Sequence, residues 1–161
     1  MRAVVQRVTG SSVKTTDESG QARESGSIRR GLTILLGVTH DDDQEDIKYL
    51  RDKIVNLRIF PEQEGGVGFE KSALDVGAEI LMVSQFTLYA TTRKGRRPGF
   101  TDAAPGDVSE PMFNAAVEAF RESGLRVETG VFGARMLVEL ENDGPATFIL
   151  DSLDRGSPRR G

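Results

Sequence analysis

The sequence contains no cysteine and one histidine, His40. Disulfides, thiol nucleophiles and thiolate metal sites are thereby excluded, and imidazole chemistry rests on one residue. No stretch reaches the roughly 18 apolar residues that a membrane span requires. The opening MRAVVQRV lacks the long apolar run of a secretory leader. A cytoplasmic protein with no membrane partner is expected. Positive charge is also in short supply: 21 Lys and Arg stand against 25 Asp and Glu, a net charge of −4. Such a chain does not coat nucleic acid with a generally basic surface, and no DNA partner is expected. What is present is enough for one packed domain: 161 residues, 37% of them hydrophobic, with 18 Gly.

The charge is uneven. Residues 1–40 hold 6 basic and 3 acidic residues, and residues 41–80 hold 5 and 11, so basic groups have to be judged locally. Residues 2–8 and 11–16 read as two β-branched strands split by Thr9 and Gly10, and Leu32–Thr39 is a continuous apolar run of strand length. Ile47, Leu50, Ile54 and Leu57 recur at helical spacing behind Asp41-Asp42-Asp43. Asp42 or Asp43 is placed to cap that helix, which accounts for the acidic run without a metal. Glu79–Ala90 reads as one long strand. A second helix fits from Asp107 or Ser109 to Ser123, with Pro111 in its first turn, Met112, Phe113, Ala116, Val117 and Phe120 inward, and Gly124 as its stop. Val127–Val131, Arg135–Glu141 and Ala146–Asp151 complete the strands.

About eight strands and two helices predict a mixed α/β fold. Two helices cover one face of so large a sheet, so a second β layer or a partner copy must cover the other, and a homodimer is expected. The domain is expected to span residues 1–152, with residues 153–161 a disordered tail.

Three segments could carry chemistry. Ser84-Gln85-Phe86-Thr87-Leu88 closes an apolar strand, where hydroxyl and amide groups require partners. Bonds to neighbouring backbone satisfy Ser84 and Thr87 without any function. As a nucleophile Thr87 would need a base, from His40 or a carboxylate. No Gly-x-Ser-x-Gly elbow surrounds Ser84, which argues against a serine-hydrolase triad. Asn142-Asp143-Gly144-Pro145 reads as a hairpin turn; a cis Gly144–Pro145 bond, where adopted, aims consecutive carbonyls in a fixed direction. Arg93, Lys94, Arg96 and Arg97 put four positive charges into five residues. They form either a solvated loop or a grip on the phosphates of a nucleic acid end, with no interleaved aromatics for base stacking.

Taken together, VSQFTLYA at 83–90, TRKG at 92–95 with Arg97-Pro98 and Phe100-Thr101, TGVFGA at 129–134 and NDGP at 142–145 closely resemble the D-aminoacyl-tRNA deacylase family. The opening MRAVVQRV and LLGVTHDD at 35–42 do so too, and the resemblance runs in order over residues 1–152. It implies a homodimeric hydrolase without cofactor or metal, built as a three-layer β/β/α sandwich with two main helices on one side. The partner is the 3′ end of aminoacyl-tRNA. The bond cleaved is the ester of a D-amino acid, or of mischarged glycine, to the terminal ribose. By the same resemblance Ser84, Gln85, Phe86, Thr87 and Leu88 form the pocket floor and Met136 lines it. Gly144 and Pro145, oriented by Arg7, enter the partner's site as a cis pair and reject L side chains. On its phosphate-gripping reading, the basic loop Arg93, Lys94, Arg96 and Arg97 is expected to hold the tRNA.

Ester hydrolysis needs a stabilised oxyanion and an activated water, and the backbone N–H groups of Phe86 and Thr87 are the natural donors. Either Thr87 attacks, or water attacks with help from the tRNA's 2′-hydroxyl; the second is preferred because no base is assigned to Thr87. Arg135, Arg96, Ala146 and the segment GVGFEKS at 66–72 depart from the family pattern, which bears on rim contacts rather than on the reaction. Two rivals remain: a non-catalytic tRNA-end-binding module and a small-molecule esterase.

Overall fold

The computed structural model describes residues 1–16, 20–93 and 95–157. Its organising strand is β1, Arg2–Thr16, in which Ala3 and Val5 are buried against the helices while Val8 and Val13 are buried on the opposite side of the sheet. The two strands expected here are one. The change of face at Val8–Gly10 is a break in register against a single partner, not a turn. The first half of β1 pairs antiparallel with β3, Gly31–Gly37, and the second half with β2, Ala22–Ile28. β2 has no counterpart in the sequence reading: in ARESGSI only Gly26 and Ile28 are buried, and pairing rather than its own apolar content holds it.

Beyond β3, the chain enters α1, Gln44–Asn56, capped by Asp43, whose carboxylate accepts from the Glu45 and Asp46 N–H groups at 2.9 and 3.1 Å. A short α2, Ala73–Val76, precedes β4, Glu79–Ser84, which lies parallel to β3. The helix α3, Gly106–Arg121, returns the chain to β5, Val127–Thr129, parallel to β4. Pro111 is the sixth residue of α3, past the first turn in which the sequence reading puts it, so one interior hydrogen bond is given up.

The last strand, β6, Met136–Asp151, runs antiparallel to β1 along both of its halves. Asn142–Pro145 is therefore not a hairpin turn. Val8 pairs with Asn142 while Gln6 pairs with Thr147, so the four residues 143–146 bulge out of one continuous strand. Among the described residues β6 pairs only with β1, which leaves its far edge open.

These six strands form one mixed sheet, β2-β1-β3-β4-β5 with β6 on β1. It curls until β2 reaches β5: a Cβ at Gly26 would lie 2.7 Å from the Thr129 carbonyl oxygen. The fold is mixed α/β, with its β layers the opposing walls of this curled sheet. Both main helices pack on one face through Ile47, Leu50, Ile54, Phe113, Val117 and Phe120. Inside the curl sits a smaller cluster of Val8, Val13, Ile28, Leu81 and Val83. Ser152–Gly156 form a 3-10 turn whose Arg155 bridges Asp43 and Asp46, so order continues past the expected boundary at 152; residues 158–161 lie outside the described residues. No described helix is long and apolar enough to cross a membrane.

Candidate active site

The strand expected over Glu79–Ala90 stops at Ser84 because β3 ends beside it. The Gln85 N–H still reaches the Leu36 carbonyl at 2.8 Å, and the chain then folds into a 3-10 turn at Phe86–Tyr89. Gly37 makes this turn fit: a Cβ there would stand 3.0 Å from Gln85 O and 3.1 Å from Leu88 Cβ. The first N–H groups of such a turn have no acceptor within it. Those of Phe86 and Thr87 have none elsewhere among the described residues.

Ser84, Gln85 and Phe86 border a half-open hollow of about 540 Å³ between the sheet and the start of α3. Val83, Met136 and Val138 form its apolar wall. At its rim the rings of Phe86 and Phe100 meet edge to face at 5.0 Å. Phe100, Phe132 and Ala103–Gly106 also line it, and sequence reasoning gave none of them a role. Phe100 and Phe132 stand within Phe100-Thr101 and TGVFGA, two of the segments that carry the resemblance, but with no role of their own. Among the described residues, no side chain lining the hollow is titratable.

Other residues singled out in the sequence lie around this hollow or away from it. Thr87 is exposed at its margin, and its hydroxyl accepts from Gln85 Nε2 at 2.5 Å. Leu88 turns away: its side chain packs on Gly37, and its carbonyl accepts from Arg2 Nη1 at 2.9 Å. His40 stands against the Thr101 carbonyl at 2.9 Å in a separate hollow with Arg2, Asp42 and Tyr89. There burial raises the Asp42 carboxyl above the usual range, even though it pairs with the Met1 ammonium, and burial also raises the Tyr89 hydroxyl. His40 therefore lines a different hollow from the one that Ser84, Gln85 and Phe86 border.

Arg7 is 2% exposed. Its Nε donates to the Asp143 carbonyl at 3.2 Å and meets the Asp143 carboxylate at 2.8 Å. Asn142 Nδ2 donates across the bulge to the carbonyls of Arg7 and Ala146 at 3.0 and 3.3 Å. The Gly144–Pro145 bond between them is cis, and both residues are exposed and outside the hollow of their own chain. Arg93, Arg96 and Arg97 are exposed on a loop pinched by paired hydrogen bonds between Thr91 and Gly99, 2.8 and 2.9 Å; Lys94 lies outside the described residues. No group of three His, Cys, Asp or Glu suited to a metal occurs among the described residues.

Among the described residues, this mixed α/β fold thus sets an apolar hollow without titratable side chains beside two backbone N–H groups that have no acceptor. The comparisons name the family. The model of D-Tyr-tRNA(Tyr) deacylase matches residues 4–151, and the chain belongs to that family. It is 51% identical over 152 residues to the D-aminoacyl-tRNA deacylase of Clostridium botulinum (strain Alaska E43 / Type E3), covering 94% of this chain and 97% of that one. The D-aminoacyl-tRNA deacylase of Thermosipho africanus (strain TCF52B) is 49% identical over the same shares. Among solved structures, the c-Myc DNA Unwinding Element Binding Protein superposes with a TM-score of 0.82 at 41% identity, covering 94% of this chain and 98% of that one. A probable eukaryotic D-amino acid tRNA deacylase shares the fold at TM-score 0.76 and 19% identity, over 92% and 97% of the two chains.

Proposed function

We propose that this chain hydrolyses the ester joining a D-amino acid, or glycine, to the 3′-terminal ribose of tRNA, and that it spares L-aminoacyl esters. The observation that carries the mechanism is the absence of any titratable side chain from the hollow's described walls, set beside two N–H groups at its rim that have no acceptor among the described residues. An ester oxyanion formed there is stabilised by the Phe86 and Thr87 amides, as preorganised donors do. Water attacks with help from the tRNA's own 2′-hydroxyl. Thr87 is not the nucleophile on this reading, because the polar partner of its hydroxyl is an amide donor rather than a base. Ser84, Gln85 and Met136 shape the hollow, with Leu88 anchoring the turn from behind.

Handedness comes from a second copy of the chain. Gly144 and Pro145 stand exposed on β6, and Leu137 and Ile149 of the same strand are 61% and 73% exposed, an apolar surface that a homodimer would bury. Inserted into the partner's hollow, the main chain at Gly144–Pro145 occupies the place of an L side chain and leaves room for a D side chain or hydrogen. Arg93, Lys94, Arg96 and Arg97 hold the RNA near its end. The c-Myc DNA Unwinding Element Binding Protein is named for a DNA ligand; a tRNA end is preferred for this chain because one short basic loop sits on a net charge of −4. With tRNA as its substrate, the protein works in the cytoplasm.

Matched D-tyrosyl-, L-tyrosyl- and glycyl-tRNA test the reading. The wild type is expected to cleave the D and glycyl esters and spare the L ester. Gly144→Ala, whose methyl would stand 3.3 Å from Asn142 Oδ1 so that Asn142 must give by a few tenths of an ångström, is expected to slow D-ester cleavage at least ~10-fold with melting measured beside it. Comparable rates on D and L esters by the wild type would overturn it.

A further inference from the structure

Arg7 is a cation withdrawn from water, and a buried guanidinium is stable only where its charge and its N–H groups are met. One side of it holds Asp143. The other donates from Nη1 to the carbonyls of Ile59 and Gly68, at 2.5 and 3.4 Å. The last of these belongs to the loop between α1 and α2, whose next residue, Phe69, lays its ring over Arg7 with the guanidinium carbon 5.8 Å from the ring centroid. The same ring meets Phe148 of β6 edge-on, with centroids 6.0 Å apart and planes at 69°. Phe69 is 46% exposed and stands outside both apolar clusters, so the core does not need it. Its contacts are the cation that fixes Asp143 and the strand that follows Pro145.

We propose that Phe69 is a positioning residue for the Gly144–Pro145 bulge, acting through Arg7. The proposal rests on the reading that this bulge selects handedness. The ring keeps water off the Arg7–Asp143 pair and supplies a cation–π contact, so the peptide planes beside Gly144 hold one direction. With the ring gone, water competes for the guanidinium, the Asp143 carbonyl is held less firmly, and the exclusion of L side chains weakens while the hollow itself is untouched.

The experiment measures kcat and KM for D- and L-tyrosyl-tRNA with wild type, Phe69→Ala, Phe69→Tyr and Gly144→Ala, with thermal melting beside them. For Phe69→Ala the preference for D over L is expected to fall about fivefold, with D-ester kcat kept within about twofold and melting close to wild type. Phe69→Tyr, which keeps the ring, is expected to restore the preference. If Gly144→Ala changes D-ester cleavage but Phe69→Ala leaves the preference unchanged, or lowers both rates together, the positioning role is overturned and the selector reading stands. If Gly144→Ala behaves as wild type, the selector reading falls and this inference falls with it.

Discussion

Thr87 is where the mechanism turns on a single side chain. Its hydroxyl already accepts a hydrogen bond from Gln85 Nε2, and no titratable side chain lines the adjacent hollow among the described residues. The substitution Thr87→Ala removes that hydroxyl and leaves the backbone N–H in place. Single-turnover deacylation of D-tyrosyl-tRNA by Thr87→Ala is expected to stay within ~10-fold of wild type; a loss of ~1000-fold or more with intact folding and tRNA binding would make Thr87 the nucleophile. From the sequence, polar side chains at the end of an apolar strand marked Ser84–Leu88 only as groups needing partners, and the resemblance supplied the expectation of a pocket floor; the structure puts Ser84, Gln85 and Phe86 on the hollow. The direction of Leu88 was not legible. It follows from the 3-10 turn over Gly37, a contact between residues distant in sequence.

At the scale of elements, the acidic residue that opens β4 joins it to the bend between β2 and β3 and to the segment before β5. Glu79 accepts from the Arg29 N–H at 2.9 Å, from Arg29 Nη2 at 3.2 Å and from Arg126 Nη1 at 2.9 Å, with its side chain 12% exposed. The Arg29 backbone N–H, and then the two guanidinium groups, hold the Glu79 carboxyl below the usual carboxylate range. A carboxyl depressed in the folded state adds stability above its unfolded value, 4.5, and that contribution is lost as pH falls through the folded value. Glu79→Gln is therefore expected to lower Tm at pH 7 by about 2–4 °C, a cost of about 1 kcal/mol. In melts from pH 7 to pH 3 the gap to wild type should narrow below the unfolded value; a constant gap would show that the charge is not the cause. The helix α1 was readable from its periodicity and its Asp43 cap, α3 from its periodicity alone, since it starts at Gly106 behind Pro105 with no capping side chain rather than at Asp107 or Ser109, and β3 and β5 from their apolar residues. β2 was not, because its residues are polar and only its pairing makes it a strand. Asn142–Pro145 looked like a hairpin because Gly-Pro punctuates a chain, whereas the halves on either side both pair with β1.

For the molecule as a whole, on the proposed reading the reaction surface is the hollow bordered by Ser84, Gln85 and Phe86, and the selecting surface is Gly144–Pro145, which lies outside that hollow in its own chain, so the enzyme is complete only as a pair. Ile149, 73% exposed on β6, is a suitable place to test this. Ile149→Lys puts a charge on the apolar surface that pairing would bury, at a position where the isolated chain tolerates it. Sedimentation is expected to give two copies for the wild type and one for Ile149→Lys, with a ~10-fold or greater fall in D-ester cleavage; an unchanged mass would place the contact elsewhere. The sequence suggested pairing only through a surplus of strands. Which surface pairs was hidden, because exposed Leu and Ile on an open strand look like buried ones until the sheet is assembled.

Among the described residues, the wall of the proposed reaction chamber holds no side chain that gains or loses a proton. On the proposed reading, a change of pH leaves that lining uncharged, and the step it would alter first belongs to the nucleic acid being inspected rather than to its inspector.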